Sequence, residues 1–446
     1  MKWVFLLGLM VLTPLLVTLL RGQPRNLVRA AFCIGLLPFV LAPLHLYIGP
    51  ISWSGWRGPV KGIEVSVLDS IAVALLIVVG PTRMPAVSKI GLAAISVAFL
   101  ISTIAAGAIF PSTFYAWQLG RSAVLAVAVA RLTAVNDEAA IAVVAGMGLG
   151  LGVEALTATW QHLHGAAQAG GNFGHQNLLG MASHFVAMPA FALLLAGKRT
   201  SLALAILFAE AVVVFVGGSR ATIGLFAIGM AICTILSLMH RSSGRKTMVA
   251  GGFLIAATIA APLMMMAIGR RSADVREDSN KERAEFQHAA RLIIADHPLG
   301  IGADRYVIVA NLGGYSDKAG VPWNGSQRSA PVHNSYLLIA AELGLLGLAG
   351  FILLIGSIAM TGLRSIRRTV SGERSELIVG LTAAVLIAAV HFAYEWIAMT
   401  FYIHYLFAID AGMIVGLAAA ASRRSARAVP RRAAMPELAA VSEVAV

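Results

Sequence analysis

Thirteen apolar runs separated by polar connections set the plan of the chain. They lie at 2–20, 28–48, 66–80, 89–109, 113–131, 138–158, 177–196, 201–217, 221–239, 247–268, 335–362, 376–397 and 400–421. Most approach the roughly 20 residues that a helix needs to cross the hydrocarbon core of a bilayer. Pro and Gly interrupt several of them, so twelve to fourteen spans satisfy the pattern. The predicted fold is all-α, a polytopic integral membrane protein with about 13 transmembrane helices.

One polar stretch, 269–334, is far longer than a connection requires. It opens with a charged run from Arg270 to Arg291, in which Phe286, Ala290, Ile293 and Ile294 fall at helical spacing and give one apolar face. Pro298 ends that helix, Gly300 and Gly302 make a turn, and the Gly-, Ser- and Asn-rich segment 311–331 reads as an irregular loop. The chain therefore divides into spans one to ten (1–268), a long loop with an amphipathic helix (269–334), spans eleven to thirteen (335–422) and a tail (423–446). The tail is rich in Ala and Arg and holds Pro430 and Pro436, a composition expected to be disordered and to lie on anionic lipid.

Composition sharpens the class. Of 446 residues, 58% are hydrophobic and only 12% charged, about half the charge of a soluble domain. The net charge of +13 follows membrane topology rather than a nucleic-acid surface. The odd-numbered connections and the tail carry twenty Lys and Arg, whereas the short even-numbered connections carry only Arg57, Lys61 and Arg220. Cations mark the cytoplasmic side. The C-terminus is thus expected inside, and the loops 49–65, 159–176, 217–220 and 269–334 outside. With thirteen spans the N-terminus is outside, against the one dissenting cation Lys2, and the first run, which has no small-residue cleavage site, reads as an uncleaved helix. Cys33 and Cys233 each sit inside an apolar run and read as small core residues.

The candidate chemistry clusters on the outer side. His333-Asn334 stands at the mouth of span eleven, where an imidazole can take a proton from a hydroxyl or merely cap a helix. Arg220 follows Gly217-Gly218-Ser219 between two nearly contiguous spans; its planar guanidinium suits a phosphate or a pyrophosphate, or snorkels to the interface. His162, His164 and His175 share one outer loop without a carboxylate or thiol to complete a metal set, so no metal and no cofactor is expected. His391 and Glu395, four residues apart in span twelve, share a helix face as an ion pair or as a cavity lining. Gly146, Gly148, Gly150 and Gly152 fall inside a span, where small residues allow close helix packing. Arg121 and Glu154 are intramembrane charges whose partners the sequence does not name. Trp53 and Trp56 could stack on sugars but read better as interface-belt residues.

These elements, in this order, resemble the O-antigen ligase family and its relatives, the O-antigen and exopolysaccharide polymerases. His333-Asn334, then nine residues, then Gly344-Leu-Leu-Gly347 is similar to the family's His motif followed by Gly-x-x-Gly. Arg283 precedes Pro298-Leu-Gly-Ile-Gly302 as the family's arginine precedes its turn; where the family often has tryptophan, this chain has Gln287. Gly218-Ser219-Arg220 and Gly174-His175-Gln176-Asn177 look like two further family segments, and the likeness spans about 160–350.

The resemblance implies a metal-independent membrane glycosyltransferase of the inner membrane. Its donor would be an undecaprenyl-pyrophosphate-linked glycan, and its acceptor lipid A–core or a growing polysaccharide. His333 would be the base and Arg220 and Arg283 the pyrophosphate clamp, with Asn334, Arg291, Asn177, His391 and Glu395 in support. Ligase is the favoured reading over polymerase. A transporter or flippase is the alternative of another class, but no repeat between the two halves supports it.

Overall fold

The computed structural model describes residues 2–107, 109–269, 273–396 and 400–428. The start of the charged run at 270–272 and the tail from 429 onward lie outside them. A helix stands on every expected span: α1 (Lys2–Leu20), α2 (Pro24–Val40), α3 (Val67–Val78), α4 (Ala86–Ala106), α5 (Ile109–Val135), α6 (Asp137–Leu163), α7 (Gln176–Leu195), α8 (Thr200–Gly217), α9 (Arg220–His240) and α10 (Gly244–Gly269) before the long loop. The loop holds α11 (Ala273–Asp296), α12 (Tyr306–Leu312), α13 (Tyr315–Lys318) and α14 (Gly325–Arg328). After it come α15 (Ser335–Arg368), α16 (Glu373–His391) and α17 (Phe401–Ala428). Among the described residues ten helices are long and apolar enough to cross a membrane, and α3 is a shorter apolar one. This is a multi-pass, almost wholly helical membrane protein.

The most extensive helix contacts pair α2 with α6, α4 with α15, α5 with α17 and α7 with α16. Small residues make the approach possible. A Cβ on Gly146 of α6 would run into the Phe32 carbonyl of α2, and one on Gly35 of α2 into the Val143 carbonyl of α6. The glycine run of α6 is therefore a packing seam. Helix α7 is buried along nearly its whole length and forms the centre of the bundle.

The alternation of loops holds in space. Charges of the odd-numbered connections meet on one face: Arg199 pairs with Glu373 at 3.1 Å, Lys246 with Glu376 at 2.6 Å, and Arg374 with Asp137. The even-numbered loops gather on the opposite face, where Trp56 and Val60 reach Asp304 and Gln168 reaches the Gly217 and Gly218 carbonyls. Lys2 joins that second face by donating to the Pro50 carbonyl at 3.3 Å.

Four sequence expectations need correction or completion. The loop 49–65 contains an antiparallel hairpin, β1 (Tyr47–Ser52) with β2 (Gly62–Ser66). Its β-branched alternation was too short to stand out beside the long helical runs. The segment 311–331 is irregular only in part: it also holds the short helices α13 and α14, and Arg328 ties it together. Arg328 pairs with Asp317 at 2.8 Å and stacks over Trp323 at 4.1 Å, and its backbone carbonyl accepts from Asn311. Trp56 is buried, with its indole N–H donating to Asp304 Oδ2 at 2.7 Å, so it is neither a sugar platform nor a belt residue. The intramembrane charges do have partners. Arg121 binds both oxygens of Asp69, at 3.1 and 3.0 Å, and touches Tyr405, joining α3, α5 and α17; Glu154 accepts two bonds from Asn172.

Candidate functional site

The site is built around one fully buried carboxylate. Helix α16 ends at His391, and Glu395 lies in the turn that follows. Its main chain is pinned first: the Glu395 carbonyl accepts from the Ser335 hydroxyl at 2.6 Å and the Ser335 N–H at 3.1 Å. Ser335 opens α15, so the turn carrying Glu395 is fastened to the start of that helix. The carboxylate then gathers three side chains. Oε1 accepts from Asn177 Nδ2 at 2.5 Å and from an Arg283 terminal nitrogen at 2.9 Å, while Oε2 lies 2.9 Å from His333 Nδ1. Four segments, α7, α11, the residue before Asn334 and the turn after α16, thus converge on one group.

Local signals explain how each residue arrives. Asn334 caps α15, its side chain accepting from the Leu337 N–H at 3.0 Å. It therefore fixes the backbone of His333 next door. His175 caps α7, its Nδ1 accepting from the Asn177 N–H, which orients Asn177 in the first turn. Phe286, Ala290 and Ile293 bury the apolar face of α11, as the spacing predicts, and this turns Arg283 toward Glu395. The Phe286 ring also lies 5.9 Å from the His333 ring, centroid to centroid.

The glycine motifs act on the same frame. Helix α15 breaks at Gly344, where φ is +70°. Into that break docks the turn 298–302: the Ile301 and Gly302 N–H groups donate to the Ala341 and Glu342 carbonyls, and the Leu345 N–H to the Pro298 carbonyl. A Cβ at Gly344 would lie 2.6 Å from the Leu299 carbonyl carbon. Glu342 completes the joint by accepting from the Asp304 and Tyr306 N–H groups at 2.9 and 3.0 Å. The long loop is thereby held rigidly over the mouth of span eleven.

Not every candidate reaches Glu395. Arg220 opens α9 on the same face, exposed and without an ion-pair partner among the described residues. Arg291 points outward and donates to Gln287 one turn back. His391 does not pair with Glu395. The helix stops between them, so the shared face that four-residue spacing requires is absent. His162 and His164 bond backbone carbonyls of their own loop. Among the described residues no group of three His, Cys, Asp or Glu could hold a metal ion.

His175 was missed as part of the site. Its signal was its place two residues before Asn177. Burial holds its imidazole below the ordinary value, with Glu395 pulling it up and His333 and Arg283 pressing it down. Electrostatically it belongs to the same cluster.

The arrangement has a chemical sense. A carboxylate can only accept, so a neutral imidazole that bonds it through Nδ1 carries its proton there and keeps the lone pair on Nε2. The His333 side chain is partly exposed, whereas Glu395 is fully buried. A largely apolar cavity of about 260 Å³ lies between α4, α5, α15 and α17, lined by Ser88, Ile358 and Val415 and also by Ile339 and Phe392. Phe392 belongs to the same turn as Glu395.

A bundle of apolar helices with a polar cluster at the ends of its helices defines a polytopic membrane protein. Residues 184–352 match the family model described as O-Antigen ligase, which supports placing the chain in the O-antigen ligase and polymerase family. The matched stretch includes Arg220, Arg283, His333 and the Gly344–Gly347 motif. No curated protein gives a significant match to the chain.

Proposed function

We propose that the protein is an O-antigen ligase-like glycosyltransferase of the bacterial inner membrane. It moves a glycan from undecaprenyl pyrophosphate to an acceptor hydroxyl on the periplasmic side, and its C-terminus faces the cytoplasm. The observation that carries this reading is the convergence of His333, Arg283 and Asn177 on the buried Glu395. The acceptor hydroxyl gives its proton to His333 Nε2 as its oxygen bonds the anomeric carbon. The bond from that carbon to the pyrophosphate breaks, and the leaving group takes the electron pair. Direct displacement inverts the anomeric centre.

Glu395 holds the His333 tautomer and balances the imidazolium that forms, as a buried carboxylate does for a catalytic histidine. Arg220 and the outward nitrogens of Arg283 offset the charge that grows on the pyrophosphate. The apolar cavity beside Phe392 takes the polyprenyl chain. Lipid A–core or a growing polysaccharide supplies the acceptor, with ligation favoured over polymerisation.

The test is reconstitution in lipid nanodiscs with a polyprenyl-pyrophosphate-linked oligosaccharide, comparing wild type with His333→Ala. Transfer by wild type and none by the variant supports the reading; equal transfer by both removes His333 as base. In a strain lacking the gene, loss of the whole lipopolysaccharide ladder identifies a ligase. A single-repeat band in its place identifies a polymerase.

A further inference from the structure

His175 carries a second ring nitrogen that the mechanism above does not use. Its Nδ1 accepts from the Asn177 N–H at 3.2 Å. A backbone N–H only donates, so Nδ1 keeps its lone pair and the neutral ring carries its proton on Nε2. Neutral His333 has the opposite arrangement, with its proton on Nδ1 toward Glu395. The site thus holds one imidazole able to take a proton and one whose free edge donates a hydrogen bond. The Nε2–H of His175 meets no acceptor among the described residues. The residue is exposed, although the Nδ1 side of its ring is closed by the start of α7.

Two sets of contacts fix where that donor stands. On one side, Asn177 bonds Glu395 Oε1, the oxygen that also accepts from Arg283. On the other, the starts of α7 and α9 lie side by side. Gln176 donates to Gln168 Oε1 at 3.4 Å, and Gln168 donates to the Gly217 and Gly218 carbonyls. A Cβ on Gly180 of α7 would run into the side chain of Thr222, two residues after Arg220. His175 therefore opens the helix that touches both the Glu395–Arg283 pair and the start of α9 that carries Arg220. Glu395, His333 and Arg283 all act on its charge state. Capping alone does not call for histidine, since Asn, Asp and Ser are the stronger N-caps. What imidazole adds is the polar atom on the far edge of the ring.

We infer that His175 is a third binding residue for the pyrophosphate of the donor, giving its Nε2–H to an oxygen of that anion beside Arg220 and Arg283. This role rests on the proposed transfer reaction and extends it. An anion has acceptors and no donors, and a hydrogen bond to it is stronger than one to a neutral oxygen. His175 takes no part in the proton transfer: no covalent bond to it forms or breaks. Its hydrogen bond strengthens as the bond from sugar to oxygen breaks and negative charge gathers on the leaving pyrophosphate.

The experiment compares wild type, His175→Asn and His175→Ala in nanodiscs, reading the thermal midpoint, binding of undecaprenyl pyrophosphate and transfer kinetics. Asn keeps a side-chain oxygen to cap α7 but has no group where Nε2 stands. It is expected to keep the wild-type midpoint. It should lose roughly tenfold or more both in affinity for undecaprenyl pyrophosphate and in kcat/KM for the donor, at an unchanged acceptor KM. His175→Ala loses the cap as well, so its midpoint should fall. Wild-type affinity and turnover in His175→Asn would reduce the residue to a helix cap and overturn the inference, as would an equal change in the acceptor KM. NMR of the protein with isotope-labelled histidines needs no turnover, and the resonance missing from His175→Asn identifies the residue. An Nε2–H tautomer whose proton moves downfield on adding undecaprenyl pyrophosphate supports the inference. An Nδ1–H tautomer, or a resonance the lipid does not move, overturns it. Wild type that binds the lipid but transfers no glycan would overturn the proposed reaction alone, and the NMR shift would still decide the binding role.

Discussion

Glu395 Oε2 and His333 Nδ1 lie 2.9 Å apart although 62 residues separate them in the chain. That one bond decides which nitrogen of His333 is free to react. It is expected that Glu395→Gln, whose amide can present a donor to Nδ1, lowers kcat by about 100-fold while leaving KM within a factor of two or three. Steady-state kinetics in nanodiscs give the answer, and near-wild-type turnover would remove the carboxylate from the mechanism.

The two arginines should separate by stability. Arg283 is paired with a fully buried carboxylate, so Arg283→Ala strands that charge and should lower the thermal midpoint along with activity. Arg220 is exposed, so Arg220→Ala should leave the midpoint unchanged and lower kcat/KM for the donor by about 100-fold. Scanning fluorimetry beside donor-dependence curves makes the distinction. A destabilised Arg220 variant would contradict its assignment to substrate.

Gly344 sits at φ +70° against the Leu299 main chain, a position where a side chain is both strained and crowded. Gly344→Ala should cost about 2 kcal/mol or more and loosen the 298–302 turn. Hydrogen exchange should then rise at Ile301 and Gly302, whose N–H groups bond the broken helix. Unchanged protection there would show that the joint does not depend on the glycine.

Asp304 gives a pH signature. Burial, and next the neighbouring Glu342 charge, push its carboxyl from 3.8 to about 8, against the pull of the Val60 and Trp56 donors. The folded state then holds a proton that the unfolded state releases near pH 4. Stability from this group is present at low pH, falls between about pH 4 and about pH 8, and is flat above. Asp304→Asn stays neutral throughout, so its thermal midpoint should gain on wild type as pH rises through that window. A difference that does not vary with pH would show that Asp304 does not titrate there.

On the opposite face, Lys246 and Glu376 form a buried pair at 2.6 Å, with Ser237 donating to the second carboxylate oxygen at 2.7 Å. Lys246→Met should cost about 3–5 kcal/mol because it leaves a buried carboxylate alone. The double change with Glu376→Leu should recover much of the loss. A double variant as unstable as the single one would show that packing, not charge, sets the cost.

The sequence alone determined the helical membrane architecture, the alternation of cationic loops and the family motifs around His333, Arg283 and Gly344. Those signals are local: apolar runs of fixed length, cations in short connections, and motifs of about fifteen residues. It also placed the buried face of α11, because Phe286, Ala290 and Ile293 repeat at helical spacing.

Only the tertiary structure decided which polar residues meet. Glu395 read as a helix-face partner of His391 because its spacing was right, yet the helix ends first and the carboxylate turns to His333, Arg283 and Asn177. Arg121 found Asp69, and Trp56 found Asp304, 52 and 248 residues away. Such pairings carry no periodic signal. They arise when burial leaves a charge or an N–H group without water, and the fold supplies the partner that chain order does not reveal.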